Sequence, residues 1–337
     1  MKLTVVMHTC REDNSNLPAP VLEMMIDSLN RQVYDGEFEL IIVDLLYERR
    51  IGAVQNVAVH SEGYPVLHIP DKPSPFKDES LLRIATPKNT GVLFARGTHV
   101  IFTDDCQVLP EDALARAAHW AQRGAGCTMA YEKRLWRQGK DDHITGVDQR
   151  GPSLGIPEGK GQIQPPRNIG FLGGTMSMLP IEAVLDVNGF DEMFDGSRQL
   201  EDADMIIRLT SLGQTMAFDN GQRIIEYECG NYGPEVSTEP IKCNGAYAQY
   251  VWSLIRTKAN TMKGEVLAEA IRRMQWDNCL RLDKDKPGMC TPHMSPCTKL
   301  GDQELLERIY NDQRLTFDLR EMRKRLSWEN AHDFLMG

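Results

Sequence analysis

The chain has 337 residues, 48 acidic and 38 basic side chains, a net charge of −10 and a hydrophobic content of 41%. That length supports one large α/β domain or one domain with an appendage, and the composition is that of an ordinary globular protein. The acidic balance argues against broad binding to nucleic-acid phosphates, and no apolar run reaches membrane-spanning length.

The opening segment, MKLTVVMHTC, has one lysine and too short an apolar stretch for a secretory leader. It reads as a buried strand, and a cytoplasmic location is the expectation. Eight cysteines in that setting suggest free thiols or a metal site rather than a disulfide framework. Residues 21–34 space Leu22, Met25, Ile26 and Leu29 as one helix face. FELIIVDLL (38–46) is a second buried strand and GYPVLHIP (63–70) a third. Residues 81–97 read as a helix broken by Pro87, followed by a strand, HVIFTDD, over 99–105. PEDALARAAHWAQRG (110–124) is a helix with Pro at its start and Gly at its end.

Strands alternating with helices imply a parallel sheet covered on both faces. Ligands bind such sheets beyond the carboxyl ends of the strands, where Thr9, Asp44, Asp104 and Asp105 fall. The Gly- and Pro-rich stretch 137–170 reads as a long loop, of a length that in compact domains serves as a lid or binding segment. A strand over 171–180, a short helix over 181–190 ended by Gly189, and an acid-rich helix over 199–213 follow. Beyond about residue 255 the pattern changes. Residues 265–276 are helical, 277–297 irregular and cysteine-bearing, and 302–335 amphipathic and charged, forming one or two helices.

Three constellations can carry chemistry. TDDCQVLP is either a strand-ending turn, which Asp favours, or a site for a divalent metal. Mg²⁺ and Mn²⁺ take oxygen ligands, often one or two carboxylates plus substrate phosphates. The segment 189–209 is either a helix start whose acids suit the dipole or a cleft with a general base, raised towards a useful pKa by like charges. Within it, Asp204 and Arg208 stand at pairing distance along a helix. Cys279, Cys290, His293 and Cys297 are either buried thiols or a tetrahedral structural zinc site, with Cys229 and Cys243 as alternative ligands.

Four segments, in order, resemble the family-2 glycosyltransferases over roughly residues 3–220: VVMHTCRED, SLNRQVYDGEFELIIVD, KNTGVLFARGTHVIFTDDCQVLPEDAL and GGTMSMLPIEAVLDVNGFDEMFDGSRQLEDADMIIRL. The resemblance implies a GT-A, Rossmann-like α/β fold, with a mixed, mostly parallel sheet flanked by helices and a helical C-terminal extension. With the change of pattern near residue 255, the expected division is a catalytic domain over 1–255, with a nucleotide half to about 125 and an acceptor half from 126, and a mainly helical region with a Cys/His segment over 256–337. Thr9, Arg11 and Asp44 match positions that cradle the nucleobase and ribose, and Arg83 and Asn89 positions near the nucleotide. Asp104 matches a ribose or metal contact and Asp105 the metal ligand. Gly173 and Gly174 match the strand bordering the sugar, and Asp202, with Glu201 beside it, the general base.

The implied reaction is inverting transfer from a nucleotide sugar, a UDP-sugar favoured, to a hydroxyl of a polysaccharide, glycolipid or other acceptor, with Mn²⁺ or Mg²⁺ as cofactor. A DNA base as acceptor finds no support in the acidic charge. The C-terminal helices would shape the acceptor site or join copies of the chain. Cys106 stands where many members carry a third acid, no His falls between His143 and His293, and DLLYERR after Asp44 lacks the usual Ser/Gly-rich turn. The rival readings are a nucleotidyltransferase or related nucleotide-dependent enzyme, and a noncatalytic sugar-binding scaffold of the same fold.

Overall fold

The computed structural model describes residues 1–10, 21–50, 63–73, 83–136, 142–165, 168, 172–174, 176–195, 200–228, 244–274 and 318–336. In chain order its elements are β1 (Leu3–Thr9), α1 (Val21–Asn30), β2 (Phe38–Asp44), β3 (Val66–Ile69), α2 (Ala85–Phe94), β4 (His99–Asp104) and β5 (Gln107–Val108). Next come α3 (Ala113–Ala121), β6 (Ala125–Leu135), β7 (His143–Val147), α4 (Arg150–Ser153), β8 (Lys160–Ile163), β9 (Ser177–Pro180) and α5 (Ile181–Asp186). A 3-10 turn (Glu192–Phe194), α6 (Glu201–Ser211), β10 (Thr215–Tyr227), α7 (Asn244–Thr261), α8 (Gly264–Arg272), α9 (Leu319–Arg323) and α10 (Ala331–Met336) complete the series. Two compact units are formed: Met1–Pro70 with Ala95–Ile181 and Thr215–Pro234, and Asp71–Phe94 with Glu182–Gln214 and Glu235–Gly337.

The first unit contains the whole ten-stranded sheet, in the order β3-β2-β1-β4-β9-β6-β10-β5, with β7 on β6 and β8 on β10. The long ladders β1–β2, β1–β4 and β6–β10 are parallel, and β9 runs antiparallel to both β4 and β6. From β1 the chain steps outward to β2 and β3, then returns to lay β4 on the other side of β1. That reversal is a topological switch point, the crevice where open α/β sheets bind ligands. On one face Leu3, Val5, Met7, Leu40, Ile42 and Ile101 pack with Met25, Ile26 and Leu29 of α1 and Leu114, Ala117 and Trp120 of α3. Val6, Ile41, Val43 and Val100 on the other face are equally buried, so these strands are continuous apolar runs instead of alternating ones. Each such side chain contributes about 1.5–3 kcal/mol on burial.

At the amino ends of β1 and β2, buried Glu39 accepts from Thr4 Oγ1 (2.8 Å), Arg96 N (2.6 Å) and Arg96 Nε (2.9 Å), and pairs with Lys2 (2.8 Å). Burial pushes its carboxyl up, but Lys2, Arg96 and Thr4 outweigh it and hold the group below the usual carboxylate range.

In the second unit, Asp195 caps α2. Its carboxylate accepts the backbone N–H groups of Ile84 (2.8 Å), Ala85 (2.8 Å) and Thr86 (3.0 Å), together with the Thr86 hydroxyl. These are the donors a helix start leaves without intrahelical partners. Burial pushes the Asp195 carboxyl up to about 6, against the hydrogen bonds from Thr86, Ile84 and Ala85. The Asp204–Arg208 pair expected on α6 forms at 2.7 Å, and Arg208 also donates to the carbonyls of Val187 and Gly189.

Several expectations are corrected. Pro87 does not break a helix: it lies in the first turn of α2, where its missing N–H has no helical partner to lose. The stretch 137–170 holds β7, α4 and β8 in place of an unstructured loop. Of the strand expected over 171–180, Ser177–Pro180 form β9, and the other described residues of that stretch, 172–174 and 176, are not in a strand. β6, β10 and α7 are additional to the elements read from the sequence.

Candidate active site

Sheet register assembles the strand-end residues. Thr9 pairs with Asp44 across β1–β2, and His8 with Asp104 across β1–β4. Thr9 Oγ1 donates to Asp105 Oδ2 at 2.8 Å across the switch point. The two neighbouring aspartates then part: Asp105 is buried, while the Asp104 side chain is 41% exposed. Asp44 is fully buried. Its Oδ1 accepts from Leu46 N (2.8 Å) and lies 3.5 Å from Arg50, and its Oδ2 lies 3.1 Å from His68 Nε2. Arg50 also donates to Thr9 Oγ1 at 3.3 Å, and the Tyr47 ring lies 4.6 Å from that of His68. A continuous polar chain therefore runs from Asp44 through Arg50 and Thr9 to Asp105. Arg50 and His68 carry no spacing signal in the sequence; His68 is brought to Asp44 by β2–β3 pairing alone.

On its other side Asp104 meets Gln107. The Gln107 amide donates to Asp104 Oδ2 at 3.4 Å, while its oxygen accepts from Thr103 Oγ1 (2.9 Å) and Asp104 N (3.2 Å). Glu226 of β10 stands opposite Gln107 of β5 and opposite Lys133 of β6. Lys133 Nζ lies 3.5 Å from Glu226 Oε1. Burial and then the charge of Asp104 push the Glu226 carboxyl up, with Lys133 and Gln107 opposing.

Gly173 and Gly174 precede β9. Arg150, bound to Asp148 through Nε and Nη2 (2.6–3.0 Å) and lying over the Tyr131 and Phe218 rings, donates to the Gly173 carbonyl at 2.8 Å. Gly174 has a φ of +79°, a conformation that costs glycine little.

Among the described residues no three His, Cys, Asp or Glu side chains form a set able to hold a metal by themselves. The adjacent hard-oxygen pair, Asp104 and Asp105, does suit Mg²⁺ or Mn²⁺, which complete their coordination with substrate phosphates and water. The chemistry of this donor pair fits such a cation.

In the second unit, Glu201 and Asp202 open α6 after Leu200, whose φ of +80° is left-handed. Lys88 of α2 places its ammonium 2.7 Å from Asp202 Oδ1 and 3.5 Å from Glu201 Oε1, over the Phe190 ring at 5.0 Å. The cation offsets the repulsion of the two adjacent acids. Of the three, Asp202 is the reachable one, its side chain 22% exposed against 7% for Glu201 and 4% for Lys88. Asn89 uses both amide hydrogens internally, on the Phe190 carbonyl (2.9 Å) and Glu192 Oε1 (2.8 Å), and accepts from Phe190 N (2.7 Å). Glu192 in turn holds buried Lys72 at 2.8 Å. The Arg83 guanidinium sits 3.3 Å from Asp71; burial pushes that carboxyl up, with Arg83 and Lys72 opposing.

Arg11, the set Cys279, Cys290, His293 and Cys297, and Cys229 and Cys243 lie outside the described residues. Cys10, Cys106 and Cys127 are buried thiols. Burial, then Asp219, pushes the Cys127 thiol far above its ordinary value, which keeps it from the reactive thiolate form.

No family model matches the chain, and no curated protein matches it by sequence. Residues 1–349 of S. aureus TarS in complex with UDP-GlcNAc share its architecture with a TM-score of 0.52 at 13% identity, over 85% of this chain and 75% of that one. The same TarS segment in complex with UDP gives 0.51 at 13% identity, over 98% and 87%. A longer TarS structure gives 0.50 at 14% identity and spans 98% of this chain but 52% of that one. The fold is GT-A. The mixed sheet and the helices packed on it are as the resemblance implied. Among the described residues, no helix of this GT-A chain is long and apolar enough to cross a membrane.

Proposed function

We propose that the chain is a metal-dependent, inverting glycosyltransferase that moves a sugar from a UDP-sugar to an acceptor hydroxyl. The observation that carries this reading is the carboxylate pair Asp104–Asp105, tied through Thr9 across the switch point of a GT-A sheet. The UDP-GlcNAc and UDP complexes of TarS support a nucleotide-sugar donor.

In this reading the β1–β2 side, with Thr9 and Asp44, faces the nucleoside, and Asp104 and Asp105 face the diphosphate. A bound Mn²⁺ or Mg²⁺ held by these two carboxylates would offset the negative charge that develops on the leaving diphosphate. Asp202 takes the proton from the acceptor hydroxyl as that oxygen attacks the anomeric carbon, and a single displacement inverts the configuration. Lys88 fixes the Asp202 carboxylate. Arg150 fixes the glycine segment at Gly173, where the missing side chain leaves space for a sugar. The acceptor is a polysaccharide, a glycolipid or another hydroxyl compound, met by the half of the catalytic domain from about residue 126.

The test is UDP release from a panel of UDP-sugars in the presence of Mn²⁺ and hydroxyl acceptors. Asp202→Asn is expected to abolish transfer while leaving UDP affinity and the melting temperature close to wild type. No UDP release and no UDP binding with any donor would overturn the proposal. Unfolding of Asp202→Asn would reassign that residue to a structural role.

A further inference from the structure

Resting on the donor-site reading above, we infer that Glu226 and Lys133 form the recognition site for the sugar being transferred, as hydroxyl-binding partners joined to Asp104 through Gln107. Three observations place them there. First, cross-strand register puts Glu226 between Gln107 and Lys133, in the row β5-β10-β6. Second, Gln107 is shared: it donates to Asp104 Oδ2 at 3.4 Å and also contributes a hydrogen bond to Glu226. The far carboxylate is thereby linked to the aspartate that leads the pair. Third, both side chains remain reachable, with Glu226 23% and Lys133 40% exposed, although they pair at 3.5 Å.

The direction of the donor follows from the sheet. Thr9 and Asp44 lie on the β1–β2 side of Asp104, and Glu226 and Lys133 on the β5–β10–β6 side. A donor whose nucleoside occupies the first side and whose diphosphate meets Asp104 and Asp105 extends its sugar towards the second. The chemistry suits a polyhydroxylated ring. A carboxylate is acceptor-only and takes hydrogen bonds from two neighbouring hydroxyls, while an ammonium is donor-only and serves their oxygens. Neither group suits an apolar substituent, because burying a charged group without a partner is costly.

The experiment compares binding of UDP, UDP-glucose and UDP-GlcNAc to the full chain with Mn²⁺ by titration calorimetry, for wild type, Glu226→Gln and Lys133→Met. Wild type is expected to bind at least one UDP-sugar more tightly than UDP. In both variants that advantage falls by about tenfold, the usual scale for a hydrogen bond to a charged group, while affinity for UDP itself stays within about twofold. An unchanged advantage in both variants overturns the inference and leaves the donor-site reading standing. So does wild-type binding of UDP-sugars no tighter than UDP. Absence of UDP binding by wild type overturns the donor-site reading itself. Thermal denaturation of each variant accompanies the titration, and Glu226→Asp, which keeps the charge, should recover part of the advantage if the contact is made by the carboxylate.

Discussion

Lys88 reaches Asp202 at 2.7 Å from 114 residues away, and no spacing in the chain announces it. It is a positioning residue in the proposed reaction, since it touches the base and not the reacting atoms. Two adjacent carboxylates at a helix start repel each other, and without the ammonium Asp202 would turn away towards water. Lys88→Met is therefore expected to lower kcat by about 10–100-fold, the scale of a displaced general base, with the UDP-sugar KM changed by less than about threefold. Lys88→Arg restores a cation and should recover at least part of kcat. A stability loss of about 1–3 kcal/mol accompanies the Met variant, because the cation that lies between the two adjacent acids is removed. Steady-state kinetics on the three proteins decide it: a kcat unchanged in Lys88→Met, or lost equally in Lys88→Arg, rules out the positioning role.

At the scale of elements, the second unit hangs on close backbone approach at Gly189. Its φ is +70°, and a Cβ there would lie 2.3 Å from both Asn89 Oδ1 and Leu319 Cδ1. Gly189→Ala should cost about 2–4 kcal/mol in urea denaturation, combining left-handed strain with overpacking. Gly213→Ala is the control: φ is +93° but no atom lies within 4 Å, so only the conformational cost of about 1–2 kcal/mol remains. Equal losses for the two would remove the steric argument. The same contrast between local and distant signals explains what the sequence discloses. β1, β2 and β4 are legible as apolar runs because both faces are buried, and their terminal Thr9, Asp44, Asp104 and Asp105 are legible as strand-end groups. β10 is hidden because Asp219-Asn220-Gly221 reads as a turn. In the sheet that triplet is an irregularity in the β6–β10 ladder, held by Gly221 N donating to Asp219 Oδ1 at 2.8 Å and by Trp120 Nε1 donating to Oδ2 at 2.7 Å. Asp204–Arg208 is legible as a pair four apart on a helix, whereas His68 on Asp44 and Lys72 on Glu192 depend on tertiary contact.

At the scale of the whole molecule, electrostatics set the terms of donor binding. The chain carries −10, and the site proposed for a diphosphate begins with two carboxylates, Asp104 and Asp105. Bringing a further anion to that place is unfavourable unless a cation intervenes, and partial burial limits how far salt can screen the repulsion. UDP should therefore stabilise the protein weakly in EDTA and strongly with Mn²⁺ or Mg²⁺. At a free ligand concentration of about 100 times Kd the stabilisation amounts to about 2.7 kcal/mol. At a few degrees per kcal/mol this corresponds to a rise in Tm of roughly 5–10 °C. Asp105→Asn should erase the increment that depends on the metal and leave the weak shift in EDTA in place, because the Asn side-chain oxygen can still accept from Thr9 Oγ1 and so keep the Asp44–Arg50–Thr9 contacts. Differential scanning fluorimetry of both proteins with UDP, in EDTA and in Mn²⁺, makes the comparison. If wild type gains equally in the two conditions, the diphosphate is met by protein cations instead, and the assignment of Asp104 and Asp105 to a metal fails while the fold and the acceptor base remain as described.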